Sequence, residues 1–373
     1  MAEPVRLAFV VESGTDVRLV DGLAERFSLT VLARRILGGV AVSHPPRAAA
    51  AIEVGPAGRL AFARWVTRRL RALHPDRVLV QGYGAAALAA NWVARHGPPT
   101  FMLVCSPVEA YYRCRRAAAM PDKPYRPWAL WGLETLARLN ARLGRHYVVL
   151  SEHLAEVVRG HGGGLPVSVI PVYGVDTARF APATRPRDDL KRALGLPPDR
   201  PLLFFSSRVA PEKDAETLLQ AVRRLGEAGL GVHVLHRSGG HRAFLRAAEQ
   251  VGVAARCTAT DAVHPDALPA DYQAADLCVQ ASRAEGLGFS PLEALACGTP
   301  VVAAAVGGLR ETVIPGETGW LYPPGDAAAL ADAIEAVLAD PAEGARRAAR
   351  GRALVQERFE RRIVFDQLAA LLA

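Results

Sequence analysis

The chain has 373 residues, half of them hydrophobic and 22% charged, which is the composition of a globular protein large enough for two domains. Its net charge of +8 rests on arginine, because only Lys123, Lys191 and Lys213 are lysines; such an excess favours acidic partners, a nucleotide diphosphate or an anionic lipid surface. Aromatics at 6% among dispersed arginines argue against nucleic acid, and five cysteines with no Cys-x-x-Cys pair argue against a disulfide framework or a zinc site.

Glu3 and Pro4 interrupt any signal-like start, and no apolar run approaches the ~18 residues of a membrane span. The expectation is a cytoplasmic protein, with peripheral membrane contact left open. Residues 5–11 read as a strand ending in Glu12-Ser13-Gly14-Thr15-Asp16, residues 17–26 as a helix and 28–33 as a second strand. Strand, glycine, helix is how an α/β unit begins. Residues 34–57 contain His44-Pro45-Pro46 and read as a loop with room for one edge strand. An amphipathic helix over 59–73 turns Leu60, Trp65 and Leu70 inward and its arginines outward.

The strand 77–81 leads into Gly82-Tyr83-Gly84-Ala85-Ala86-Ala87, a match to the dinucleotide fingerprint. That fingerprint belongs on a first βα turn, with an acid at the tip of the next strand. Here the match is internal, and the strand 100–105 runs into Ser106-Pro107 with no acid before Glu109. A packing turn is the better reading. Residues 106–145 mix Glu109, Tyr111 and several arginines with Tyr125, Trp128 and Trp131. An acceptor pocket, a membrane-facing patch and ordinary helix packing all fit that mixture. A strand over 147–150, a helix over 152–160 and a strand over 167–171 close the first half.

The second half repeats the alternation. The strand 202–206 exits through Arg208-Val-Ala-Pro-Glu-Lys213-Asp214, where Asp214 can cap the helix that follows. Residues 277–281 then form a short buried strand, followed by Glu285-Gly286-Leu287-Gly288-Phe289-Ser290-Pro291-Leu292-Glu293. Ser290, Pro291 and Glu293 have the spacing of a capping box, with Ser290 at the N-cap. Gly298 and Pro300 stop that helix before the strand that begins at Val301. A glycine loop thus opens onto a helix N-terminus at the carboxyl end of a strand, where doubly wound sheets receive phosphorylated ligands. Helices over 328–338, 343–359 and 361–372 end the chain.

Glu285 and Glu293 bracket seven residues and continue into Ala-Leu-Ala-x-Gly-Thr-Pro-Val-Val. This string closely resembles the Glu-x7-Glu motif of the family 4 retaining glycosyltransferases. The resemblance is dense over 202–326 and sparse over 1–180. It implies an α/β fold of GT-B type, two Rossmann-like domains facing a central cleft. The acceptor domain would span 1–180, a linker 181–190 and the nucleotide-sugar domain 191–358, with a helix over 359–373 returning to the first domain.

The implied activity is retaining transfer of a hexose-type sugar from a UDP- or GDP-sugar to a small-molecule, glycan or lipid-linked acceptor. By the same resemblance, Arg208 and Lys213 neutralise the diphosphate and Glu285 hydrogen-bonds the sugar. The amides of Gly286, Leu287, Gly288 and Phe289 hold sugar and phosphate, and Glu293 takes the ribose hydroxyls. Gly14 would face the donor phosphate or acceptor, and Asp16, Glu109 and Tyr111 are acceptor candidates. No Asp-x-Asp occurs, so no metal or other cofactor is expected. The chain departs from the family pattern in four places. The first loop has one glycine, Cys105-Ser106 stands where many members have histidine, and Asp214 follows the lysine. The stretch Ile170-Pro171-Val172-Tyr173-Gly174-Val175-Asp176 has one inserted residue and no asparagine. An epimerase of the same architecture and a nucleotide-sugar-binding protein without turnover are the alternatives.

Overall fold

The computed structural model describes residues 4–36, 39–117 and 127–373. Tyr125, one of the aromatics singled out from the sequence, lies outside them. The chain divides into two compact units: one within residues 1–112, 125–174 and 362–373, the other within 113–124 and 175–361.

The first unit begins with β1 (Arg6–Val11), α1 (Val17–Ala24), β2 (Ser28–Ile36), β3 (Gly39–Val40), β4 (Ala51–Gly55) and α2 (Arg59–Leu73). It continues with β5 (Arg77–Gln81), α3 (Ala85–Val93), β6 (Thr100–Val104), α4 (Val108–Ala117), α5 (Pro127–Leu143), β7 (His146–Val149), α6 (Glu152–Arg159) and β8 (Val167–Val169). Its sheet runs β3-β2-β1-β5-β6-β7-β8, with β4 also paired to β2. All pairings are parallel except β2 with β3. The central strands are continuous apolar runs because both their faces are covered; every residue of Thr-Phe-Met-Leu-Val in β6 is buried.

Residues 34–57 hold more strand than the sequence suggests. β2 runs on to Ile36, β3 folds back on its end, and Ala51–Gly55 pairs with Thr30–Arg34. Two of the five β4 residues are exposed and two only half-buried, so it carries no strong apolar pattern. Leu60 is a second correction: it is 72% exposed, because the inward stripe of α2 is Phe62, Ala63, Val66 and Leu70. A residue two before Phe62 falls on the opposite side of a 3.6-residue turn.

The second unit contains α7 (Arg187–Ala193), β9 (Leu202–Phe205), α8 (Ala215–Glu227), β10 (His233–Arg237), α9 (His241–Val251), β11 (Cys257–Thr260) and α10 (Leu268–Ala274). Then come β12 (Leu277–Gln280), α11 (Phe289–Ala296), β13 (Val301–Ala304), α12 (Leu309–Thr312), β14 (Trp320–Tyr322), α13 (Ala327–Ala339) and α14 (Pro341–Leu354). The sheet order is β11-β10-β9-β12-β13-β14, all parallel. The chain builds outward from β9 in one direction and from β12 in the other. The loops after those two neighbouring strands therefore diverge and leave a crevice at their carboxyl ends.

The unit boundary falls between Gly174 and Val175, and α7 begins inside the stretch 181–190 that reads as linker. The last helix, α15 (Arg361–Leu372), buries Val364, Phe365, Leu368 and Leu372. Its ring Phe365 fills the space beside Gly22 of α1, where a Cβ would lie 2.1 Å from the ring. Arg26 pairs with Asp366 at 2.9 Å, so residues 362–373 belong structurally to the first unit.

Candidate active site

The loops after β9 and β12 carry the predicted donor residues of the second unit. Glu285 is 8% exposed, and Lys213 pairs with its Oε2. Gln280 Nε2 and Ser282 Oγ each donate to the same oxygen at 3.1 Å, while the Gly286 amide donates to Oε1 at 3.3 Å. Ser207 Oγ donates to Gln280 Oε1 at 3.2 Å and so ties the two loops together. Burial pushes the Glu285 carboxyl up, but the Lys213 charge and these hydrogen bonds outweigh it and hold the group below the usual carboxylate range. Arg208, in the same loop as Lys213, is exposed and forms no hydrogen bond or ion pair among the described residues. The loop ends at Asp214, which sits at φ 49° and caps α8 by accepting from the Thr217 amide. It also pairs with Arg283 at 2.7 Å.

The start of α11 differs from the capping-box expectation. Its N-cap is Gly288 at φ +91°, and no side chain caps it. Ser290 lies inside the first turn, where its hydroxyl meets Ser206 Oγ at 2.7 Å. Glu293 is 3% exposed and accepts from Tyr272 Oη at 2.8 Å, so it does not close a capping box. The sequence pattern is that of a cap, but the helix starts two residues earlier, after a left-handed turn that only glycine adopts without strain. A Cβ on Gly288 would also lie 2.4 Å from Leu309 Cδ2. Gly308 packs as tightly, since its Cβ would meet Gly286 O at 2.2 Å and Leu287 Cα at 2.7 Å. These contacts set the backbone of 286–289 beside the Lys213–Glu285 pair.

Residues 186–353 match the family described as glycosyl transferases group 1. That segment, 168 of the 373 residues, belongs to that family. The chain is 38% identical over 230 residues to the D-inositol 3-phosphate glycosyltransferase of Xylanimonas cellulosilytica, a match covering 59% of this chain and 54% of that one. It is 35% identical to a GDP-mannose-dependent α-(1-6)-phosphatidylinositol monomannoside mannosyltransferase of Mycolicibacterium smegmatis, over 54% of each chain. The chain spans about half the length of these curated relatives. Sucrose-phosphate synthase from Thermosynechococcus elongatus superimposes with a TM-score of 0.82 at 23% identity, covering 99% of this chain and 98% of that one. The fold is GT-B.

Gly14, Asp16, Glu109 and Tyr111 lie outside the matched segment, in the first unit. Gly14 has φ +111° with nothing near its Cβ position, and its carbonyl accepts from Gln81 Nε2 at 3.1 Å. Asp16 caps α1 and pairs with Arg18 at 2.8 Å; burial raises its carboxyl, but Arg18 outweighs that and keeps it low. Glu109 is buried on α4, accepts from Tyr83 Oη at 2.5 Å and lies 3.3 Å from His161 Nε2. Tyr111, two residues further along α4, is half-buried.

Where many relatives have a histidine, Cys105 Sγ accepts from Tyr173 Oη at 3.5 Å. Burial pushes its thiol up to about 12, so it stays protonated near neutral pH and is no base. The fingerprint at Gly82–Gly84 is filled from within. Glu12 Oε2 accepts from the Ala86 amide at 3.1 Å, and a Cβ on Gly84 would lie 2.7 Å from that oxygen. A carboxylate already holds the helix N-terminus that a pyrophosphate would need.

Sequence reasoning missed Gln280, Ser282 and Tyr272 as partners of the two glutamates, and Ser207 as the partner of Gln280. Gln280 carried a signal, being a polar residue at the end of an otherwise apolar buried strand. Tyr272 carried none.

Proposed function

We propose that this chain transfers a hexose-type sugar, with retention, from a UDP- or GDP-sugar to an acceptor hydroxyl without a metal ion. One observation carries the reading: Lys213 and a deprotonated Glu285 are paired at the β9/β12 switch point, beside the start of α11. Breaking the anomeric C–O bond develops negative charge on the leaving diphosphate and positive charge on the sugar. Preorganised cations aimed at the diphosphate lower that barrier most. Arg208 supplies a planar fork for phosphate oxygens, and Lys213 a compact charge. Together with the α11 N-terminus they take the part a divalent cation plays elsewhere.

Glu285, held as a carboxylate, only accepts hydrogen bonds, which suits it to donor-sugar hydroxyls. Glu293 suits the ribose diol for the same reason, with Tyr272 orienting it. The backbone of 286–289 lies between the two acids and is assigned to the sugar and phosphate. A β-phosphate oxygen is the base for the incoming hydroxyl, because the side chains at hand are committed or protonated.

The donor is assigned to residues 191–358 and the acceptor to 1–180, with Gly14, Asp16 and Tyr111 as contacts. Glu109, enclosed by Tyr83 and His161, is better placed to hold α4 than to touch an acceptor. The names of the relatives favour a polyol or glycan hydroxyl, free or lipid-linked.

The test is incubation with UDP-glucose or GDP-mannose and a panel of polyol acceptors, with the product linkage read by NMR. A new glycoside of the donor's anomeric configuration is expected, lost in Lys213→Ala and Glu285→Ala. An inverted linkage, or a rearranged sugar nucleotide with no glycoside, would overturn the reading.

A further inference from the structure

One face of the first unit is formed by three adjacent helices, with α3 packed between α2 and α5. Their outer surfaces share one chemistry. On α2, Leu60, Arg64, Arg68 and Arg71 are exposed at spacings of four, four and three residues, so they form one stripe along the helix. At the end of α3, Trp92 is 55% exposed and Arg95 stacks over its ring at 5.0 Å. On α5, Trp128 and Trp131 are 66% and 67% exposed, and Arg138 and Arg142 continue the same side. The three helices together contain one acid, Glu134, which lies 3.6 Å from Arg138. Where α2 and α3 end, a groove of about 330 Å³ is lined by Arg71, His74, Trp92, Arg95 and His96, with no carboxylate among its lining residues.

Abundant arginine alone would read as a solvated face in a chain this rich in it. Three tryptophans more than half exposed on the same face do not fit that reading, because large exposed apolar surface is uncommon without a partner. Tryptophan with arginine and almost no acid is the pairing suited to the interface of an anionic bilayer. There indole rings sit at headgroup depth and guanidinium groups meet lipid phosphates. Among the described residues no helix is long and apolar enough to cross a membrane, so contact through this face would be peripheral.

We propose that the α2–α3–α5 face docks the protein on an anionic lipid surface, with the groove at Arg71, His74, Trp92, Arg95 and His96 receiving a headgroup phosphate. This proposal rests on different residues from the sugar-transfer reading and stands or falls apart from it.

The experiment is co-sedimentation of the whole chain with phosphatidylcholine vesicles, with and without phosphatidylglycerol, at low and high salt. Tryptophan emission is followed in parallel. Binding to the phosphatidylglycerol vesicles is expected, with a blue shift of emission and weakening in high salt. Arg64→Ala/Arg68→Ala/Arg71→Ala should lower vesicle affinity by about a hundredfold, at roughly fivefold per arginine. Trp92→Ser/Trp128→Ser/Trp131→Ser should remove the blue shift. Circular dichroism and melting check that each variant is folded, and donor-nucleotide binding should be unchanged in both. Equal binding to both vesicle types, undiminished binding of the arginine variant, or capture by a polynucleotide with none by vesicles would each overturn the proposal.

Discussion

Glu285 takes hydrogen bonds and an ion pair from four neighbours, and Lys213 is one of only three lysines in the chain. Removing one member of a buried pair leaves the other charge uncompensated, which typically costs about 3–5 kcal/mol. Lys213→Ala should therefore lower stability as well as activity, with kcat/KM falling on the order of 10²–10³-fold. The double variant Lys213→Met/Glu285→Gln separates the two effects. Denaturant titration should show stability largely recovered, while assays show activity still absent. Recovered activity in that variant would remove the assigned roles.

The carboxyl of Glu285 is depressed in the folded protein, so its contribution to stability is present above the unfolded value of about 4.3. That contribution is lost as the pH falls through the lower folded value. The stability gap between wild type and Glu285→Gln should be full at neutral pH and shrink below pH ~4. A gap that widened on acidification would contradict the ion pair. At this scale the family resemblance singled out both acids and both cations, of which the structure pairs Lys213 with Glu285. It did not disclose that Ser207 meets Gln280 or that Tyr272 meets Glu293, because which polar groups converge is decided by the packing of neighbouring elements, 73 and 21 residues apart along the chain.

Among the elements, the entry to α11 is the most constrained. Gly288→Ala meets both a left-handed backbone and the Leu309 side chain. The backbone alone should cost about 1–2 kcal/mol, and the shifted loop should raise KM for the donor more than for the acceptor. Equal stability and unchanged kinetics would show the turn is not needed. Asp214 poses the complementary case, a left-handed N-cap with a side chain. Asp214→Ala should cost about 1–2 kcal/mol, whereas Asp214→Asn keeps a capping oxygen and tolerates the conformation. Denaturation midpoints compare the two directly. Helices and buried strands were legible wherever burial is one-sided or complete, as in α2, β5 and α15. What escaped was decided by context: β4 has too little buried surface to alternate, Leu60 sits two residues before the inward stripe, and a capping-box spelling was overruled by a preceding glycine.

For the whole molecule, the alternation of strands with helices and the two-domain length made the α/β class readable, and the dense motifs over the second half made the family readable. The first half carries few such motifs, as the proposed function expects of loops that answer to an acceptor and not to a shared diphosphate. Two expectations belong here. Chelation by EDTA should leave transfer intact, and loss restored by magnesium or manganese would end the metal-free proposal. Nucleoside diphosphates should raise the melting temperature according to RT ln(1 + [L]/Kd), so the preferred base is the one giving the larger shift in a UDP and GDP comparison.

The packing of Phe365 against Gly22 joins α1 and the segment 362–373 in one unit. During synthesis, the first unit is thus the earlier to emerge and the later to be completed. Its α1 surface stays uncovered until residues 362–373 leave the ribosome, by which time the second unit has its entire sheet.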